Sequence, residues 1–223
     1  MPLDPKRFKA PYITHQQAWA AAERIRAACW PSGVVPVEIE EVLWRVGLRL
    51  QPIPSLKEDG DVDALLRGDL ATIVVDSAEY MDERMQNRIR FSIAHELGHY
   101  ILHADIYRGM VFDTVHQWIT FVERLPEDQW RFMELHASEF AGRLLVPWER
   151  LKAELDKALK EARRAGFAAW DDSGDAAREY IASSVCRVFG VSSQVIERRL
   201  IREKLWPLLT APGHRLGQAS PKK

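Results

Sequence analysis

The sequence predicts a mainly helical α+β fold with a small sheet of roughly three strands, and three observations support that prediction. Apolar residues recur at helical spacing over most of the 223 residues. Three short segments between residues 48 and 76 have the alternating or continuous apolar pattern of strands. Hydrophobic residues make up 47% of the chain and charged residues 28%, the composition of a globular protein with one substantial core.

Two helices are predicted before the first strand. Thr14 is placed to cap a helix that Trp30-Pro31-Ser32-Gly33 ends. A second helix covers about residues 37–46, and Gly47 stops it. Residues 48–53 then alternate between apolar and polar side chains, as a half-buried strand does.

A hairpin follows the first strand. Residues 62–67 and 71–76 flank Gly68-Asp69, a dipeptide suited to a tight turn. The second arm is a continuous apolar run, so we expect it to be the buried one. The resulting sheet is antiparallel or mixed.

The rest of the chain is predicted to be helical. The strongest pattern covers about residues 83–103, where Ile89, Ile93 and Leu97 mark one face. Residues 104–126 have only partial helical character. Further helices are predicted over about residues 127–146, 149–164 and 176–189, with a final helix after Gly190-Val191-Ser192.

These elements divide the chain into three parts. Residues 1–32 are expected to form an N-terminal helical extension. Residues 33–206 form the main domain, with a C-terminal helical part at about residues 149–206. Residues 207–223 are rich in Gly, Pro and small polar residues and are expected to form a flexible tail.

Composition excludes several classes of protein. Lys and Arg number 31 against 32 Asp and Glu. The chain therefore lacks the surplus of positive charge that attracts a phosphate backbone, and direct nucleic-acid binding is disfavoured. Cys29 and Cys186 lack CxxC spacing, which excludes a disulfide framework and a thiolate zinc finger. No signal-peptide core is present, and no stretch approaches the roughly 18 apolar residues of a spanning helix. These signals predict a cytoplasmic protein without a membrane partner.

The helix predicted over about residues 83–103 contains a motif of metal-binding and catalytic residue types. His95-Glu96-Leu97-Gly98-His99 matches H-E-x-x-H, and its two histidines lie one turn apart on one helical face. Both imidazoles can therefore bind one zinc ion at about 2.0 to 2.1 Å per bond. Glu96 would sit beside the open position of the metal and act as general base on a water that attacks a peptide carbonyl.

Catalytic zinc usually has three protein ligands, so the motif needs one more. His103 lies one turn beyond His99, but a straight helix carries it about 6 Å further along the axis, which disfavours a role as ligand. The downstream candidates are His116, His136, Glu123, Glu134 and Glu139.

The helix at about residues 127–146 discriminates among these candidates. Glu134, Ser138 and Ala141 lie within about 60° on one face, where small residues permit close helix packing. His136 points about 200° and Glu139 about 140° away from Glu134. We therefore favour Glu134 as the third ligand. Ser138 either hydrogen-bonds a ligating histidine or serves as a small packing residue.

These motifs resemble the ImmA/IrrE-type metallopeptidases, which are similar in architecture to the thermolysin-like gluzincins. Residues 90–103, RFSIAHELGHYILH, resemble the family's R-F-T-x-A-H-E-L-G-H-x-x-L-H pattern. Residues 134–147 resemble its E-x-x-A-N-x-F-A-A-x-L-L-M-P pattern, which assigns the family's glutamate ligand to Glu134. Residues 189–192 and 198–200 resemble its closing F-x-V-S and R-L elements. The resemblance covers about residues 33–200.

The resemblance implies a zincin-like fold and a cytoplasmic zinc-dependent endopeptidase. Its ligands would be His95, His99 and Glu134, its general base Glu96, and its substrate a helix-turn-helix repressor cleaved in response to stress. Mn²⁺ or another divalent metal can occupy the same ligands. The chain departs from the family pattern at Ser138, Gly142 and Val146, where Asn, Ala and Met are usual.

Other interpretations stay open. A peptide substrate can add to the edge formed by residues 62–67, and four side chains are candidate donors to the oxyanion: Tyr100, Tyr107, His116 and Tyr180. The final helices, with Arg198, Arg199 and Arg202, resemble a DNA-binding helix-turn-helix. In a third interpretation the metal site is structural or sensory and the protein regulates a protein partner.

Overall fold

Long helices surround three short strands in the computed structural model, which describes residues 4–110, 112, 114–164 and 175–206. The chain divides into two units, Met1–Leu145 and Val146–Lys223. The first unit contains, in chain order, α1 (His15–Cys29), α2 (Ile39–Val46), β1 (Arg49–Ile53), α3 (Leu56–Gly60), β2 (Ala64–Leu66), β3 (Thr72–Asp76), α4 (Ser77–Met81), α5 (Gln86–Tyr107), α6 (Val115–Val122) and α7 (Glu127–Leu145). The second contains α8 (Trp148–Arg164), α9 (Asp175–Phe189) and α10 (Ser193–Arg202).

The sheet is mixed, with strand order β1-β3-β2. The central strand β3 is the continuous apolar run, and all five of its residues are buried. It pairs parallel with β1, Leu50 opposite Ile73, and antiparallel with β2, Leu65 opposite Val74. This arrangement leaves β2 with one free edge in the described part of the sheet. The predicted α+β class, mainly helical with a small mixed sheet, is confirmed.

Local capping explains where several elements begin and end. The Gln17 amide donates to the Thr14 hydroxyl over 3.3 Å, and the Gln17 side chain accepts from the Thr14 amide over 2.8 Å. This capping box starts α1. Gly47 ends α2 at a φ of 90°, a conformation that costs glycine little.

Helices α5 and α7 pack closely enough for their backbones to touch. A Cβ added to Gly98 would lie 3.0 Å from the Cα and 3.1 Å from the carbonyl oxygen of Ala137. Glycine at this position therefore permits the approach. Because the two helices carry the predicted ligands, this contact sets the spacing of the site.

Within residues 146–164 and 175–206, the second unit contains the three helices α8, α9 and α10. In this unit α9 packs against both α8 and α10. Arg199 of α10 is only 3% exposed, pairs with Glu203 and donates to the Val146 carbonyl over 2.8 Å. Its guanidinium is thus part of the interior of the unit, which weakens the arginine group on which a DNA-binding interpretation depends.

Several structural features differ from the sequence-based prediction. The structure adds α3 and α4, two five-residue helices that have too few residues to show a period. Helix α6 lies in the segment for which only partial helical character was expected. Helix α5 continues to Tyr107 through non-helical dihedral angles at His103. The predicted tail, residues 207–223, lies outside the described residues. None of the helices in the described part of the chain combines the length and apolar composition needed to cross a bilayer.

Candidate metal centre

Helix α5 presents His95 and His99 on the same face, as their four-residue spacing requires. Their Nε2 atoms lie 3.0 Å apart. His99 is almost fully buried, whereas the His95 side chain keeps 15% of its surface exposed. The two nitrogens therefore meet at a point that solvent reaches from the His95 side.

Helix α7 brings Glu134 to the same point. One carboxylate oxygen lies 3.1 Å from His95 Nε2 and the other 3.2 Å from His99 Nε2. The three side chains each offer a ligand atom, and these atoms all lie within 4.8 Å of one another. Among the candidates for a third ligand, Glu134 is the one that joins the histidine pair in the described residues.

This donor set fits a divalent metal. Two ligand atoms bound at about 2.0 to 2.1 Å and at a tetrahedral angle lie about 3.3 Å from each other, close to the 3.0 to 3.2 Å between the atoms here. Two imidazoles and one carboxylate are also the ligand set of many catalytic zinc sites. The Glu134 side chain is 38% exposed, which leaves an approach for a further ligand.

The charges of the cluster favour a cation. Burial would raise the pKa of Glu134, but hydrogen bonds from His95 and His99 outweigh it and hold that pKa well below its usual range. Burial would lower the pKa of His95, but Glu134 outweighs it and raises that pKa. Glu134 is therefore an anion facing two imidazole nitrogens, and a metal ion would replace the protons that those nitrogens otherwise share with it.

Glu96 lies on the other side of the motif and is held by the sheet. The Leu66 amide of β2 donates to Glu96 Oε2 over 2.7 Å. Burial raises the pKa of this carboxyl, which strengthens it as a base. One oxygen of Glu96 is thus fixed by the edge strand, and the other can accept a proton.

The outer nitrogens of the two histidines also have neighbours. Ser138 Oγ lies 3.3 Å from His95 Nδ1, and His103 Nδ1 lies 3.0 Å from His99 Nδ1. His103 therefore contacts His99 at Nδ1, whereas the Nε2 of His99 faces Glu134. The non-helical dihedral angles at His103 accompany this position.

The other candidate ligands face elsewhere. Glu139 is buried and accepts a hydrogen bond from Trp19 Nε1 of α1 over 2.8 Å. His136 Nδ1 lies 3.3 Å from His103 Nε2. His116 and Glu123 are exposed at α6. The helical-wheel argument that separated Glu134 from His136 and Glu139 agrees with this geometry.

The four candidate oxyanion donors are now distinguished by position. The Tyr107 ring centroid lies 5.2 Å from that of His99, and the residue is 2% exposed. Burial raises the pKa of Tyr107 well above its usual value, and the nearby Glu96 and Glu134 carboxylates add to the rise. Tyr100 is partly buried farther back along α5, and Tyr180 is exposed in the second unit.

An apolar cavity of about 140 Å³ adjoins the site. Tyr107 lines it together with Leu65 and Val74 of the sheet, Met110 and Trp118. Sequence reasoning missed this cavity because its walls come from five separate segments. The only local signal was the apolar character of the individual strands and of α6.

Comparison with known proteins agrees with the motif. A family model described as Peptidase_M78, IrrE N-terminal-like domain, matches residues 47–201. That range contains His95, Glu96, His99 and Glu134, and it confirms the resemblance to the ImmA/IrrE-type family. A search of curated proteins found no match to the chain.

Proposed function

The chain belongs to the Peptidase_M78 family, and from that premise we propose that it is a zinc-dependent endopeptidase that cleaves a cytoplasmic transcriptional repressor or related regulatory protein. The convergence of His95, His99 and Glu134 beside a strand-held Glu96 is the observation that carries the proposal. His95, His99 and Glu134 are the proposed metal ligands. Mn²⁺ or another divalent ion is compatible with the same donors.

The edge strand β2 is the proposed binding site for the substrate backbone. Arg67 and Asp63 hydrogen-bond toward β3, so the alternation of an antiparallel strand turns the backbone groups of Ala64 and Leu66 outward. Because the Leu66 amide is bonded to Glu96, an extended peptide would pair with the backbone groups of Ala64 and with the Leu66 carbonyl and would run past Glu96. Apolar substrate side chains would fill the cavity lined by Leu65 and Tyr107.

Glu96 is the proposed general base. A bound divalent metal supplies polarisation of the scissile carbonyl and lowers the pKa of a water in the site. Glu96 accepts a proton from the attacking water and delivers it to the leaving amine nitrogen. The Leu66 amide keeps the carboxylate oriented through both transfers.

Tyr107 is the proposed hydrogen-bond donor to the developing oxyanion. Its ring packs against His99 and its residue lines the cavity next to the site. No hydrogen bond joins its hydroxyl to any other described residue. A donor that is fixed and unpaired before the substrate arrives can stabilise new charge with little reorganisation.

The family resemblance supports the proposed domain boundaries and the proposed stress signal. We propose that residues 33–206 form the peptidase domain, that residues 1–32 are an extension of it, and that a stress signal starts cleavage. The balance of 31 basic against 32 acidic residues supports a protein substrate over direct binding to nucleic acid.

Elemental analysis and a cleavage assay together test this function. The purified chain is expected to hold about one equivalent of divalent metal and to cut a repressor encoded by a neighbouring gene at one or a few bonds. Glu96→Gln is expected to keep the metal and lose at least about 10³-fold in cleavage, because the site then lacks its base.

A matched pair of glutamates on α7 tests the third ligand. Glu134→Gln is expected to lose most of the metal, whereas Glu139→Gln, which alters a buried glutamate bonded to Trp19, is expected to keep it. Equal metal content in both variants would remove Glu134 from the ligand set. Metal-loaded protein that leaves the repressors intact would contradict the endopeptidase activity.

A further inference from the structure

His99, His103 and His136 form a continuous chain of buried imidazoles that leads away from the proposed metal position. His99 Nδ1 lies 3.0 Å from His103 Nδ1, and His103 Nε2 lies 3.3 Å from His136 Nδ1. The three residues are between 1% and 4% exposed. At the far end of the chain, burial lowers the pKa of His136, and the neighbouring Ile13 backbone opposes that shift.

The direction of this chain can be worked out from its metal end. A neutral imidazole carries one proton, so a nitrogen that binds metal leaves the proton on the other nitrogen. If His99 Nε2 binds metal, His99 Nδ1 must donate to His103 Nδ1. His103 then carries its proton on Nε2 and donates to His136 Nδ1, and His136 is left with a proton on Nε2.

We propose that His103 and His136 are positioning residues that lock His99 in the Nδ1-protonated tautomer, with its Nε2 lone pair directed at the metal. This inference rests on the proposed function for the identity of the metal ligands. It extends the support of the site from α5 through α7 to the segment that precedes α1. In this arrangement both nitrogens of the buried His103 ring have a partner.

The two ligand histidines are supported unequally. The partner of His95 Nδ1 is the single hydroxyl of Ser138 at 3.3 Å, and a hydroxyl can either donate or accept. A hydroxyl therefore imposes no tautomer, whereas the histidine chain imposes one. Loss of the chain should cost more metal affinity than loss of the Ser138 hydroxyl.

Nitrogen NMR on the zinc-loaded protein tests the tautomers directly. Long-range ¹H–¹⁵N spectra of protein labelled in histidine at neutral pH are expected to show His99 protonated on Nδ1, and His103 and His136 protonated on Nε2. A spectrum with the His103 proton on Nδ1 would overturn the proposal. This measurement needs no variant and no activity assay.

Two variants of equal shape test the consequence for metal binding. His103→Leu and His103→Asn have side chains of similar size, but only Asn offers an oxygen near the position of Nδ1. His103→Leu is expected to weaken zinc binding about 10- to 100-fold in competition with a chelator, and His103→Asn to restore most of that loss. Ser138→Ala is expected to cost less than His103→Leu. Unchanged affinity in His103→Leu, or equal loss in the Leu and Asn variants, would overturn the proposal.

The experiments separate this inference from the proposed function. Wild-type protein that binds zinc but cleaves nothing would count against the peptidase activity while the affinities of the His103 variants still decide the role of the chain. Should His103→Leu not fold, as judged by circular dichroism, the tautomers of the wild-type protein decide it.

Discussion

The two sides of the metal site pack by different means. On one side α5 and α7 touch through their backbones, with Gly98 against Ala137. On the other side the sheet and α6 meet through side chains, and Leu56, Leu65 and Val74 form the buried cluster there. An apolar cavity of about 140 Å³ remains on this second side.

This contrast assigns different tasks to the two sides. Backbone contact leaves little freedom, so the helix pair can hold ligand atoms 3.0 to 3.2 Å apart. Side-chain packing around a cavity can adjust to a new occupant. We infer that the helix pair sets the geometry of the ligands and that the sheet and α6 accommodate the substrate.

Among the substitutions that compare the two sides, the largest effect is expected at Tyr107, which ends α5 and lines the cavity and so belongs to both sides. Tyr107→Phe keeps the ring and removes only the unpaired hydroxyl, so fold and zinc content should stay unchanged. The loss of one oxyanion donor is expected to lower kcat about 10²-fold, equivalent to about 2.7 kcal/mol, with a small change in KM. Steady-state kinetics on the cleaved repressor measure both constants.

Tyr100→Phe is the matched control for this prediction. Tyr100 lies on the same helix, two turns earlier, and lines a different, open surface pocket with Leu70 and Arg108. Its kcat should equal that of the wild type. A Tyr107→Phe enzyme with full kcat would exclude the hydroxyl from the reaction and leave the ring as packing for His99.

The next largest effect is expected in stability, when alanine replaces one glycine on each side of the site. A Cβ at Gly98 would meet the Ala137 backbone at 3.0 Å, while a Cβ at Gly60 would meet the end of the Ile119 side chain at the same distance. Gly98→Ala is expected to lower the free energy of unfolding by about 1 to 3 kcal/mol, because the backbones must separate. Separation should also weaken zinc binding.

Gly60→Ala should change the free energy of unfolding by less than about 1 kcal/mol, since a side-chain terminus can rotate away. Urea denaturation of both variants and a zinc competition assay make the comparison. If the two substitutions cost the same, the two sides do not differ in stiffness and the contrast between them fails.

The sequence predicts those parts of the site that depend on local spacing. His95 and His99 share a face because they are four residues apart, and the direction of Glu134 follows from the same period on a second helix. The parallel pairing of β1 with β3 could not be derived, because register between distant strands depends on contacts that no local pattern encodes. The approach of His103 to His99 is what their four-residue spacing allows, whereas the contact between His103 and His136 joins two helices and no local pattern encodes it.

The smallest effect concerns the junction that holds the sheet side together. Asp76 ends β3, is 2% exposed, and accepts hydrogen bonds from the amides of Ala78, Glu79 and Lys57 at 2.9 to 3.0 Å. Burial would raise the pKa of this carboxyl, but the backbone hydrogen bonds outweigh it and lower the pKa. The ionised side chain therefore caps α4 and ties α3 to the sheet.

The sign of the pH dependence follows from the lowered pKa. The folded state binds the Asp76 proton more weakly than the unfolded state, so the stabilisation is complete above the unfolded pKa of about 3.9 and is lost as pH falls through the lower folded value. Asp76→Asn is expected to reduce the free energy of unfolding by about 1 kcal/mol at pH 7, because the amide nitrogen that replaces Oδ2 cannot accept from the Lys57 amide. Because the variant lacks this proton, its curve of stability against pH should approach that of the wild type as the pH falls through the lowered folded pKa of Asp76. Thermal melts from pH 7 to pH 3 measure both curves, and a constant difference across that range would mean that the cap acts through shape and not through charge.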